Sequence, residues 1–176
     1  MKIAVSSGHS TKCPGASGII DEVMEATKVS DALVRALEAL GIEAPVFHDT
    51  VSTEQDENLN RIVDWHNSQV RDRDVSVHFN ASEGEQSGPI GTETLYVTQG
   101  ALAEEMSEAI ASAGELKDRG PKYRDDLFFL NGTSQPAILI EVCFVNSEAD
   151  VEAYERNFGP ICQAIADVFI QKEEVA

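Results

Sequence analysis

Apolar residues recur along the chain in two rhythms, every second position over short runs and every third or fourth over longer ones. Ile3-Ala-Val5 lies within a first strand from Lys2 to Ser6, followed by a loop rich in Gly, Ser and Pro. Val29, Leu33, Ala36, Leu37 and Leu40 fall at helical spacing, which predicts a helix from about Asp21 to Leu40, closed by Gly41. Asp21 and Glu22 then occupy its first turn, where the helix dipole favours negative charge. Ile42 to His48 reads as a second strand, and Pro45 places it near a sheet edge. Thr53 to Gln69 reads as a second helix with Leu59, Ile62, Val63 and Trp65 inward. Val75 and Val77 alternate with Ser76 and His78, so Asp74 to Ala81 is a short, largely buried strand.

A polar loop from Ser82 to Gly91 leads into Thr92–Thr98, whose alternation suits a half-exposed strand. Ala101 to Ala113 is a third helix, Lys117 to Arg124 a charged loop, and Leu127 to Leu130 a short apolar strand or turn before Asn131-Gly132. Ala137 to Glu141 is the most apolar strand. One closing helix is expected from Ser147 to Ile170, opened by a Ser147–Asp150 capping pattern and followed by a tail from Gln171 to Ala176. Strands alternating with helices predict an α/β fold: a single domain over 1–176, with a mainly parallel or mixed twisted sheet and helices on both faces.

The charge balance narrows the partners. Thirteen basic against 31 acidic residues give a formal charge of −18, which argues against nucleic acid or an anionic membrane surface. No apolar run reaches membrane-spanning length, and Ile3-Ala-Val5 is too short for the apolar region of a signal peptide. Three cysteines without a C-x-x-C spacing do not make a disulfide framework. Cys143 and Cys162 read as small core residues. Cys13, in a loop near His9, is either an ordinary loop residue or a metal ligand.

The chemistry collects at strand ends, where an open α/β sheet usually places its ligand. His9, His78 and Glu141 each close an apolar run. Two histidines with a carboxylate from the first helix make the ligand type of zinc hydrolases that keep a position open for water. Glu22 is the preferred carboxylate, with Glu25 and Asp21 as rivals. Glu141, at the end of Ala-Ile-Leu-Ile, would be costly to bury unpaired, so it either meets a cation or works as a general base. His48 could line a cleft, Asn80 could orient a ligand or stabilise a turn, and His66 in its polar surroundings reads as surface.

Ser7-Gly8-His9 after an opening strand and a Glu nineteen residues before Gly41 carry a resemblance. Ser76-Val-His78-Phe-Asn80-Ala81 and Pro136-Ala-Ile-Leu-Ile-Glu141, with Phe144 and Asn146, complete it. The chain resembles the zinc-dependent N-acetylmuramoyl-L-alanine amidases and, within them, bacteriophage endolysin catalytic domains. The similarity runs from Lys2 to about Ile170, although Gly8-His9-Ser10-Thr11 replaces the family's usual Gly-His-Gly-Gly. It implies that His9, Glu22 and His78 hold Zn2+ and that Glu141 is the catalytic carboxylate acting on peptidoglycan. It also implies synthesis in a host bacterial cytoplasm and release to the cell wall; a monomer without a wall-binding domain is expected. A zinc carboxypeptidase or deacetylase acting on another wall amide is one alternative. A non-catalytic wall-binding module is another, against which the four intact site residues argue.

Overall fold

Strand order departs from chain order, and that departure builds the cleft. The computed structural model describes residues 1–171. Among them a six-stranded sheet runs in the order β2 (Val46–Asp49), β1 (Ile3–Ser10), β3 (Arg73–Asn80), β6 (Ala137–Phe144), β4 (Thr92–Tyr96), β5 (Asp118–Tyr123). The first four strands are parallel; β4 pairs antiparallel to β6, and β5 runs parallel to β4. The carboxyl ends of β1, β3 and β6 therefore lie side by side at one rim, where β4 begins.

Two unequal apolar layers clamp the sheet. On one face α1 (Glu22–Ala39), α3 (Gly100–Gly114) and α6 (Phe158–Gln171) cover Ile3, Val5, Val75, Val77, Ile138 and Ile140 in the larger core. On the other, α2 (Gln55–Ser68) and the short α4 (Phe128–Gly132) set Ile62, Val63, Phe129 and Leu130 against Ala137, Leu139 and Leu95. Pro45 does lie on the edge strand's approach, and its carbonyl accepts from Val5 N–H at 3.0 Å.

Several elements differ from expectation. Asp118–Tyr123, read as a loop, is an edge strand, where one open face tolerates a polar sequence. Its presence encloses β4, so Thr92 and Thr94 are fully buried rather than half-exposed. The apolar run at Leu127 forms α4, whose closing residues include the expected Asn131-Gly132 turn. The closing helix is two: α5 (Glu148–Arg156) ends at Asn157, whose side chain donates to Gly114 O at 3.0 Å, and α6 restarts with Pro160 in its first turn, where the missing N–H is harmless. The tail expected at the C-terminus lies, from residue 172, outside the described residues.

Ser147 caps α5 as its spacing suggested, accepting from Asp150 N–H. Asp150 itself, fully buried, turns outward from that pattern. Its carboxylate accepts the backbone N–H groups of Ile90 and Gly91, both at 2.9 Å, and of Phe144 at 3.3 Å.

Candidate metal centre

Glu22 is the hub. It opens α1, lies 3% exposed, and its Oε2 accepts Ala16 N–H at 2.8 Å. Its Oε1 meets His78 Nδ1 at 3.0 Å and His9 Nε2 at 3.2 Å, and also accepts Phe79 N–H at 3.2 Å. The ligand atoms of His9, Glu22 and His78 all lie within 4.8 Å of one another, a spacing that a single ion with bonds of about 2 Å can close.

Local backbone explains how β1 and β3 present these rings. His9 sits at φ 63°, in the left-handed region that a non-glycine residue rarely occupies, and its ring reaches Glu22 at the start of α1. Gly8 leaves the space that the His78 ring fills, since a Cβ there would overlap the ring. The two rings meet edge to face with centroids 5.2 Å apart. Ser76 Oγ lies 3.1 Å from His78 Nε2 and holds the ring from that side while Nδ1 faces Glu22. Two imidazole nitrogens and one carboxylate oxygen form a borderline donor set suited to a divalent transition metal with an open position.

Electrostatics favour a cation here. Burial alone would push the Glu22 carboxyl up, but hydrogen bonds from His78 and His9 and their charge hold it well below the usual carboxylate range. Glu141 moves the other way: burial, then the negative charges of Glu22 and Glu93, push it well up, against the pull of Arg124. It stands opposite His78 on the neighbouring strand, and its Oε2 is buried without a hydrogen-bond partner.

The remaining candidates separate cleanly. Glu25 turns away, accepting from Tyr154 OH at 2.9 Å and pairing with Lys28 at 2.6 Å, and Asp21 accepts from Ser17 Oγ at 2.5 Å. Cys13 pairs with Ser10 through backbone and is outside the ligand cluster. His48 lies over β1 near α1, between Ser7 Oγ at 2.8 Å and Asp31 Oδ1 at 3.1 Å. His66 is fully buried rather than on the surface, with Nδ1 at 2.7 Å from Asp74 and Nε2 at 2.9 Å from Ser6 Oγ. Asn80 donates to Glu93 Oε1 at 3.1 Å while its own Oδ1 accepts Ala81 N–H, so it serves both the turn and the site's rim. Glu93 was not singled out by sequence, although a lone acid inside Thr-Glu-Thr-Leu-Tyr was the available signal.

The chain matches the family model described as N-acetylmuramoyl-L-alanine amidase over residues 3–170. It belongs to that family. The amidases are hydrolases, so a metal-type cluster with an adjacent unpaired carboxylate is in keeping with membership. An uncharacterized protein of Clostridium perfringens (strain 13 / Type A) is 37% identical over 182 residues, 98% of this chain and 52% of its own. The chain spans about half the length of the curated relatives it matches, 52% and 46%. Among solved structures, the catalytic domain of the CD27L endolysin targeting Clostridia difficile superposes with a TM-score of 0.87 at 24% identity, over 97% of each chain. The catalytic domain of CwlV, an N-acetylmuramoyl-L-alanine amidase from Bacillus (Paenibacillus) polymyxa var. colistinus, does so at 0.73 with 26% identity over the whole of both.

Proposed function

We propose that this chain hydrolyses the amide between N-acetylmuramic acid and L-alanine in peptidoglycan, with Zn2+ held by His9, Glu22 and His78 and with Glu141 as the proton carrier. The observation that carries the reading is the unpartnered Glu141 Oε2, buried one strand away from His78. An uncompensated buried carboxylate is costly, and a group beside the ligand cluster that it can accept a proton from removes the cost.

When bound, the ion supplies Lewis acidity and makes water nucleophilic near neutral pH. The chain's own residues do the rest. Glu22, anchored by two backbone N–H groups, keeps the His9 and His78 nitrogens converged. Ser76 holds the His78 ring from its other nitrogen. Glu141, raised in pKa by its surroundings, is matched to accept a proton from the attacking water and return it to the leaving amine of L-alanine.

Mass spectrometry of peptidoglycan fragments tests this. Free amino groups on L-alanine, lost with a chelator and restored by Zn2+, are the expected result. Release of D-alanine or acetate instead would replace the reading with a carboxypeptidase or deacetylase. The biological role read here is lysis of a host wall by a monomer, the likeness to an endolysin catalytic domain being its support. No helix among the described residues is long and apolar enough to cross a membrane; release to the wall by a separate permeabilising protein is part of the proposed role. Efficient export from cells making this chain alone would count against that role.

A further inference from the structure

The row of side chains that begins at the metal centre continues past Glu141. His78 stands opposite Glu141, and Glu141 opposite Glu93, on three adjacent strands. The edge strand β5 adds Arg119, whose Nε donates to Glu93 Oε2 at 2.6 Å. Glu93, 7% exposed, takes Asn80 on its other oxygen and so braces a residue on either side of β6. The Arg119 guanidinium lies over the Phe144 ring, 5.1 Å from its centroid, and Phe144 is the register partner of Asn80. These two restraints set the plane of the guanidinium and draw it from the sheet edge back over the end of β6.

Such holding leaves the fork open. Nε is the only guanidinium nitrogen of Arg119 with a hydrogen-bond partner among the described residues, and a third of the side chain (33%) is exposed. Two neighbouring cations are engaged elsewhere: Arg124 closes on Asp126 through Nε and Nη2 at 2.8 and 2.9 Å, and Lys122 Nζ rests on the Arg119 carbonyl.

A carboxyl group that protonates the leaving nitrogen stands beside it, and we take the peptide that begins at this nitrogen to run outward from Glu141, toward the sheet edge over β4 and β5. Two extended residues cover about 7 Å, comparable to the step of about 5 Å from β6 to β4 plus part of the next. Along that path Glu93, in a chain of net charge −18, would repel any carboxylate on the peptide. Arg119 is the group placed to reverse that repulsion, and its planar fork matches a carboxylate.

We propose that Arg119 binds the free α-carboxylate of the second stem-peptide residue, with Glu93 and Phe144 aiming it. The inference rests on the amidase reading above.

The test uses two batches of soluble, uncrosslinked peptidoglycan strands that differ only in a free or an amidated α-carboxyl on that second residue. The metal-loaded protein is expected to cleave the free form with about tenfold higher kcat/KM. Arg119→Gln should bring this ratio to about one through KM, Arg119→Lys should keep part of it, and Glu93→Gln should fall between, with bound metal the same in all three. A ratio near one in the parent protein, or a ratio that survives Arg119→Gln, overturns the proposal while leaving the amidase reading intact. Failure of the metal-loaded parent on both batches overturns the amidase reading itself.

Discussion

Strand β3 carries two buried pairings of histidine with carboxylate, one at each end of the same face. At its start, Asp74 is gripped by Arg71 through Nε and Nη2, both at 2.8 Å, and by His66 at 2.7 Å, whose other nitrogen meets Ser6. At its end, His78 and His9 converge on Glu22 without any arginine or lysine in the cluster. The first set already contains its cation and satisfies every polar atom, so it needs no guest. The second brings two imidazole nitrogens together at a carboxylate that the histidines hold in its charged form, and it sets the unpartnered Glu141 oxygen alongside. Identical residue types are thus structural where a guanidinium supplies the positive charge and receptive where none does.

Deleting ligands should break this contrast most visibly. His9→Ala or His78→Ala should lose bound metal and hydrolysis together, measured by metal content and fragment release, whereas the metal content of folded His66→Gln should match the parent. Glu141→Gln should retain near-parent zinc while hydrolysis drops roughly 10²- to 10⁴-fold, the usual worth of a general base. A variant that loses its zinc would make Glu141 a ligand instead.

At the other end of β3 the effect should be on stability. Asp74→Asn leaves Arg71 buried without its counter-charge, so unfolding in urea should be easier by about 3–5 kcal/mol, with metal affinity of the folded protein unchanged. This end also sets an acid limit. Burial lowers the His66 pKa from 6.5 despite the raising influence of Asp74. Asp74 is itself lowered from 3.8, the hydrogen bonds of His66 and Arg71 outweighing burial. Both groups take up protons more readily when unfolded, so their stabilisation is whole above about pH 6.5 and is lost in two stages, first below that pH and then below about 4. The urea midpoint should therefore fall from pH 7 to pH 5 in the chelated protein, and His66→Gln should flatten that fall.

The smallest expected effect sharpens the ligand assignment. Glu25→Gln should cost at most about 1 kcal/mol, through its bond from Tyr154, and leave metal content alone. Glu22→Gln should behave like the histidine variants. The reverse outcome for the two glutamates would move the ligand one helical turn.

Legibility in the sequence tracked the strength of the local pattern. Apolar runs ending in His9, His78 and Glu141 marked three parallel strand ends, and parallel strands buried on both faces advertise themselves in this way. The register that sets Glu141 beside His78 follows from pairing, which no single run contains. β5 was hidden because an edge strand needs little apolar sequence, and without β5 neither the burial of Thr94 nor the reach of Arg119 toward Glu93 was visible. His66 was misjudged because α2 is polar around it; its inward turn depends on Asp74, Ser6 and Arg71, brought in from other elements. Trp65, expected inside, is only half-buried and stacks on Phe47. The break at Asn157 is likewise tertiary, made by a bond to Gly114.

Asp150 has a consequence on the timescale of hydrogen exchange. One buried carboxylate holds the amide protons of Ile90, Gly91 and Phe144, which belong to the long polar loop's exit and to the end of β6. These three amides can open to solvent only when that carboxylate lets go, so their exchange should be slow and concerted even though Ile90 and Gly91 stand in a connecting segment. With Asp150→Ala the three should speed up together, while amides in β1, such as that of Val5, keep the parent rate. The wall of the cleft beside Glu141 would then be a unit whose lifetime is set by a helix on the far side of the loop, rather than by the loop's own sequence.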